Sequence, residues 1–265
     1  MQLIDVGANL SHDSFRHDLD AVIGRAQAAG VAQIVITGAS EEESAAASEI
    51  ARTRAGVLFA TAGLHPHLAR NWRAQTEQLL RDLAVRPEVV AVGEAGLDFN
   101  RDFSPREQQA RVFEAQLEIA ADLGLPVFMH ERDAHDRFIE ILKPIRGRLG
   151  DAVIHCFTGT AEELDAYLDL DLHVGVTGWI CDERRGLHLR ELVKRIPLDR
   201  LMLETDAPYL LPRDLKPKPK SRRNEPMHLR HILKTVARCR EMSAEELAGA
   251  TTRTSRAFFG ISEPP

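Results

Sequence analysis

The 265-residue sequence predicts a closed (β/α)8 barrel, and three observations carry that prediction. Eight short apolar runs recur along the chain. They are continuous rather than alternating, as parallel strands covered on both faces require. Longer amphipathic stretches separate them. The runs are LIDVGAN (3–9), QIVITGA (33–39), LFATAGL (58–64), VVAVGEAGL (89–97), PVFMH (126–130), AVIHCF (152–157), HVGVTGW (173–179) and LMLETDA (201–207). A doubly wound open sheet is the alternative, and it is disfavoured because no glycine-rich phosphate fingerprint follows the first run.

The helical stretches follow in order. FRHDLDAVIGRAQAAG (15–30) can start from Ser11 and the polar residues after it, and it ends at a glycine suited to a C-cap. PREQQARVFEAQLEIAADLG (105–124) has Ser104 as expected N-cap, Pro105 at N1 and Glu107 at N3. Its Val112, Phe113, Leu117, Ala120 and Leu123 keep helical spacing. AEELAGATTRTSRAFFG closes the chain after the eighth unit. With no repeat, low-complexity tract or linker, residues 1–265 are expected to form one barrel domain with C-terminal helices at 226–260.

At 44% hydrophobic and 28% charged the chain has an ordinary globular composition. A net charge of -6 speaks against a bulk nucleic-acid binder, although a local basic rim can still hold phosphates. Cys156, Cys181 and Cys239 are far apart and odd in number, which fits a reducing compartment. Neither a signal peptide nor an apolar run of membrane-spanning length is visible. A cytoplasmic protein with no membrane association and no obligate protein partner is expected.

In such a barrel, chemistry gathers at the C-terminal strand ends. Strand 3 runs into His65-Pro66-His67, strand 4 carries Glu94 and then Asp98, strand 5 ends at His130, strand 6 at His155, and strand 8 carries Glu204 and Asp206. Singly, each reads as a hydrogen-bonded structural group or a helix cap. Jointly they are costly to bury unless something neutralises them, and a divalent cation is suited to that. Mixed nitrogen and oxygen donors do not separate Zn2+, Mn2+ and Mg2+. Cationic residues surround this mouth. Arg132 lies just past strand 5, Arg184 and Arg185 follow strand 7, and PYLLPRDLKPKPKSRRNEP follows strand 8 with Lys216, Lys218, Lys220, Arg222 and Arg223. A solvated basic loop is the plain reading. Loops after strands 7 and 8 nevertheless commonly hold phosphate in this fold, so a metal ringed by cations points to phosphoester chemistry.

At these residues the sequence resembles the TatD family of metal-dependent deoxyribonucleases, part of the amidohydrolase-like barrel group. The likeness is carried by TAGLHPH (61–67), VVAVGEAGLDF (89–99), LPVFMHERDA (125–134), VIHCFTGT (153–160), VTGWICDERRG (176–186), LMLETDAPYLLPRDL (201–215) and SRRNEP (221–226), in register over essentially the whole chain. The resemblance implies a barrel of the metal-dependent hydrolase type. In it Glu94 is the shared metal carboxylate, His130 and His155 are imidazole ligands, and Asp206 is ligand and general base. His65 faces the substrate phosphate. The implied activity is Mg2+-dependent hydrolysis of DNA as a 3′-to-5′ exonuclease preferring single strands, with RNA as a further substrate. Mn2+ and Zn2+ are alternative cations.

Two departures stand out. Many relatives have Cys where this chain has Glu131, which approaches the metal rim or points away. Most carry Asp-x-His-x-His on strand 1, whereas IDVGANL puts Gly7 and Asn9 in the histidine places. Asn9 is then expected to hold water or substrate beside a metal bound from strands 4, 5, 6 and 8. Trp179 stacks on a base or is simply buried. Rival readings are an amide or ester hydrolase on the same barrel, such as an aminoacyl-tRNA deacylase, and a non-catalytic nucleic-acid binder.

Overall fold

The computed structural model describes residues 1–264, so Pro265, the last residue of the expected domain, lies outside the described residues. The strands are β1 (Leu3–Ala8), β2 (Val31–Ile36), β3 (Leu58–Ala62), β4 (Val89–Asp98), β5 (Val127–Arg132), β6 (Ala152–Ile154), β7 (His173–Val176) and β8 (Leu201–Leu203). Each pairs in parallel with the next, in the order β1 to β8. A parallel bridge from Ala8 to Ala207 brings the chain beyond β8 back onto β1. This is the barrel expected from the continuous apolar runs, not an open sheet.

Asp5 belongs to that seam. Its carboxylate is fully buried and accepts from Thr205 N (2.9 Å) and Thr205 Oγ1 (2.6 Å). Burial pushes its pKa up to about 8, with nearby Glu204 adding to the rise. Asp5 thus ties β1 to the end of β8.

Helices α1 (Leu19–Ala28), α2 (Glu41–Arg52), α3 (Ala74–Ala84), α4 (Arg106–Leu123), α5 (His135–Ile145), α6 (Ala161–Asp169) and α7 (Leu187–Leu192) follow β1 to β7 in turn. Then α8 (Leu229–Cys239) and α9 (Ala244–Phe259) follow β8. The first expected helix is broken in two. A 3-10 turn at Asp13–Phe15 is capped by His12, whose Nδ1 accepts from Ser14 N, and α1 starts only at Leu19. Ser11 is not the cap; its hydroxyl has no hydrogen-bond partner. Nor does Ser104 cap α4, which begins after Pro105. The Ser104 hydroxyl accepts from Arg70 N (3.0 Å) and donates to His67 O (2.8 Å), so it braces the loop after β3 instead. Gly124 ends α4 in the left-handed conformation, φ +66°.

A large apolar cluster lies between strands and helices, with Phe113 stacked on Phe138 at 4.9 Å. A smaller one joins Ile4, Val6, Val35, Phe128, Val153 and Met202 to Phe258 and Phe259 from the end of α9. Those two phenylalanines sit beside residues that precede β4, β5 and β6, so they cover the N-terminal side of the barrel. The opposite mouth is left to polar side chains.

Candidate active site and metal centre

Glu94 organises that mouth. It sits within β4, 6% exposed, and its Oε1 lies 2.7 Å from His155 Nε2, 3.0 Å from His130 Nδ1 and 3.4 Å from His65 Nε2. Close approach of β4 to β5 makes this possible. Gly96 has φ +148°, and a Cβ there would stand 1.8 Å from His130 O. Beside the cluster, His67 Nε2 is 2.6 Å from Asp98 Oδ2.

The electrostatics follow from burial among opposite charges. Burial works to raise the Glu94 pKa, but His155 and His65, with hydrogen bonds from His130 and His155, hold it well below the usual carboxylate range. Burial likewise works to lower His155 and His130. Glu94 and Glu204 hold His155 well above its ordinary value, and Asp98 and Glu94 raise His130. His65 is different: burial takes it down to about 3 despite Glu94, so it is neutral. Its Nδ1 accepts from His67 N at 3.1 Å, which puts the ring proton on Nε2. Its donor atom lies in one group with those of Glu94 and His130, all within 4.8 Å of one another.

Asp206 comes in from the segment after β8, in the left-handed region at φ +54°, a strained conformation held in place by Asp206 N on Gly7 O at 2.8 Å. Asn9 Nδ2 donates to its Oδ1 at 2.9 Å. Burial lifts its pKa to about 7, against the pull of His155 and with the push of Glu94 and Glu204. Glu204 is the residue that sequence reasoning left without a role. It is fully buried, one oxygen accepts from Cys156 N, and Oε2 lies 3.4 Å from His155 Nδ1. A Cβ on Gly7 or Gly175 would stand 2.5 Å from its carboxylate oxygens. Two glycines on β1 and β7, read together with the LETDA run, were the signal for it.

These groups fit a cation. Glu94 Oε1 stands 3.0 Å from His130 Nδ1 and 2.7 Å from His155 Nε2, with the Asp206 carboxylate in the same cleft, and such mixed nitrogen and oxygen donors suit a divalent cation. The cleft at this mouth, about 680 Å3, is lined by Asn9, His12, His65, His67, Glu94, His130, His155, Cys156 and Asp206 among others.

The family description TatD related DNase matches residues 4–260. The chain is 53% identical over 259 residues to the 3'-5' ssDNA/RNA exonuclease TatD of Escherichia coli, covering 98% of this chain and 99% of that protein. The chain belongs to the TatD-related DNase family. A solved TatD homolog from Escherichia coli superposes with a TM-score of 0.88 at 30% identity, covering 98% of both chains. An uncharacterized amidohydrolase from Saccharomyces cerevisiae shares the fold, with a TM-score of 0.83 at 23% identity, covering 98% of this chain and all of that one.

Within this TatD-family cleft, the site residues expected from sequence are partly gathered and partly dispersed. Glu94, His130, His155, Asp206 and His65 meet, and Asn9 joins them through Asp206. The arginines diverge. Arg132 donates to Thr158 Oγ1 at 2.7 Å, Arg185 lies 5.9 Å from the Trp179 ring, and Arg184 is exposed beside Asp182 at 3.6 Å. Trp179 is half-buried beneath its arginine. Arg222 is exposed. Arg223 is committed to Asp18 and Glu225, at 2.7 and 2.8 Å, and is not free for substrate. Glu131 turns to the fold, accepting from Ala134 N (2.7 Å) and Tyr167 OH (2.8 Å).

Proposed function

We propose that this chain is a divalent-cation-dependent nuclease that hydrolyses phosphodiesters of single-stranded DNA, and of RNA, from the 3′ end. The observation that carries this reading is the Glu94 carboxylate facing three imidazoles, with Asp206 positioned by Asn9 in the same cleft. The name of the Escherichia coli relative, matched over nearly the full length, supports the substrate and the direction.

Glu94, His130, His155 and Asp206 would hold the cation. When bound, it supplies charge neutralisation at a phosphoryl oxygen and acidifies water. Mg2+ is the proposed ion, with Mn2+ and Zn2+ as the competing cases; the carboxylate oxygens of Glu94 and Asp206 in the cleft support a hard cation. The chain's own groups do the rest. Asp206, anchored at Oδ1, takes the proton of the attacking water on its other oxygen, and a pKa of about 7 suits a base at neutral pH. His65 donates from Nε2 to a phosphate oxygen as charge builds there. Glu204 holds the His155 ring from the far side, and Asp98 does the same for His67. Arg132, Arg184, Arg185 and Arg222 are the proposed contacts to the flanking strand.

Among the described residues no helix is long and apolar enough to cross a membrane, and the three cysteines are unpaired. A cytoplasmic enzyme working without an obligate protein partner is part of the same proposal.

Digestion of 3′-labelled and 5′-labelled single strands with Mg2+, Mn2+, Zn2+ or chelator tests the reading. Mononucleotides released from the 3′ end only with a cation are expected. Absence of release with every cation, alongside hydrolysis of an aminoacyl ester, would overturn it.

A further inference from the structure

Among the described residues the exposed large hydrophobic side chains are Met1, Val85, Phe103, Leu187 and Tyr209, so just two are aromatic. Both line the Glu94 cleft. Phe103 is 52% exposed and Tyr209 is 51% exposed, an unfavourable placement for rings with nothing to meet.

Neither ring is loosely placed. Phe103 lies two residues past a turn at 98–101, in which Asp98 Oδ1 accepts from Asn100 N (3.0 Å) and Arg101 N (2.9 Å), and it packs edge-on against His67 at 4.8 Å. Tyr209 closes a turn that starts at Asp206, with Tyr209 N donating to Asp206 O at 2.9 Å, and it packs edge-on against His12 at 5.7 Å. Tyr209 is thus set by a turn that begins at a carboxylate of the site, and Phe103 follows just after one. One stands on the β4 side of the Glu94 cluster and the other on the β8–β1 side.

We propose that Phe103 and Tyr209 are nucleobase-stacking platforms that take the bases on either side of the phosphate held at Glu94 and Asp206. The proposal rests on the nuclease reading above and names how that site selects its substrate. Base–aromatic stacking tolerates any sequence because every base has a π-face. It needs a base with a free face, which a paired and stacked duplex does not offer. The two rings therefore favour single strands without contacting a base edge.

The test is binding of a fluorescein-labelled, hydrolysis-resistant phosphorothioate oligodeoxythymidylate with Mg2+ present, followed by digestion of the ordinary strand with Mg2+. Phe103→Ala and Tyr209→Ala are each expected to weaken binding and raise KM about ten-fold, the size of one stack. Phe103→Trp and Tyr209→Phe are expected to keep wild-type affinity. Replacing the two 3′-terminal nucleotides by abasic sites should weaken the wild type while adding little to the loss in the alanine variants. Alanine variants that bind and cut like the wild type overturn the stacking alone. Losses of equal size on abasic and ordinary strands also overturn it, because the rings then act through the fold. A wild type that neither binds nor cuts any single strand overturns the nuclease reading together with it.

Discussion

Gly7 and Glu204 share one space. A Cβ on residue 7 would stand 2.5 Å from Glu204 Oε2 and 3.1 Å from the Phe128 ring, so β1 carries no side chain where β8 already delivers a buried carboxylate. The missing strand-1 histidine is therefore not a simple loss. The volume it would need is filled by an oxygen donor that faces His155.

Gly7→His is expected to be overpacked and to lose about 1–3 kcal/mol of stability. In a chain of this size that is a fall of several degrees in Tm, at roughly 2–4 °C per kcal/mol. Adding Glu204→Gly should recover part of the loss. Thermal denaturation of the single and double variants measures this. A Gly7→His protein as stable as the wild type would mean that the space is open.

Asp206→Asn keeps an oxygen for Asn9 Nδ2 and nearly the same shape, so the fold should survive. Turnover should fall by about 10²–10⁴-fold, the usual scale for a lost general base. Single-turnover digestion of a labelled strand measures it, and near wild-type rates would remove Asp206 from the base role.

Stability without cation should fall as pH rises above about 6.5, where His65, lowered to about 3 by burial, no longer adds its opposite slope. Asp206 and Asp5 have folded pKa values of about 7 and about 8, above their unfolded 3.8, so ionising them between pH 4 and 8 costs the fold. His130 and His155 have raised values, so what their protonation contributes is present below about pH 6.5 and is lost as pH climbs through the folded pKa. All four terms share a sign. A divalent cation competes with these protons, so its stabilising effect should grow from pH 6 to pH 8. Melting curves across that range, with and without Mn2+, check both slopes. A cation effect independent of pH would contradict the assignment of His130 and His155 as ligands.

The barrel was legible because continuous apolar runs and helical spacing are local signals, and Glu94, His130, His155 and Asp206 because strand ends expose their chemistry. What escaped depended on partners distant in sequence. Ser104 resembles an N-cap until the His67 carbonyl claims its hydroxyl. Glu204 resembles a neighbour of Asp206 until Gly7, nearly two hundred residues away, shows the space left for it. Arg223 belonged to a basic run, and nothing local marked Asp18 and Glu225 as its partners.

That last case separates two arginines standing side by side. The Arg223 guanidinium donates to both oxygens of Asp18 (2.8 and 2.7 Å) and to Glu225 (2.8 Å), while Arg25 binds Glu225 from the other side (2.8 Å). Hydrogen bonds from Arg223 bring Asp18 down to about 2, and Arg25 and Arg223 outweigh burial to lower Glu225. Depressed carboxylate pKa values stabilise above the unfolded pKa and lose that contribution as pH falls through the folded value. Arg223→Ala should therefore cost about 1 kcal/mol at pH 7, discounted because Asp18 is 36% exposed, and the cost should fade between pH 4 and pH 2. Arg222 is exposed, and its replacement should act on the substrate instead. Arg222→Ala is expected to flatten the dependence of log K on log salt for single-stranded DNA by about 0.7, the share of one phosphate contact. Arg223→Ala should leave that slope alone. A flattened slope in Arg223→Ala with unchanged melting would return Arg223 to the substrate and remove it from the ion-pair network.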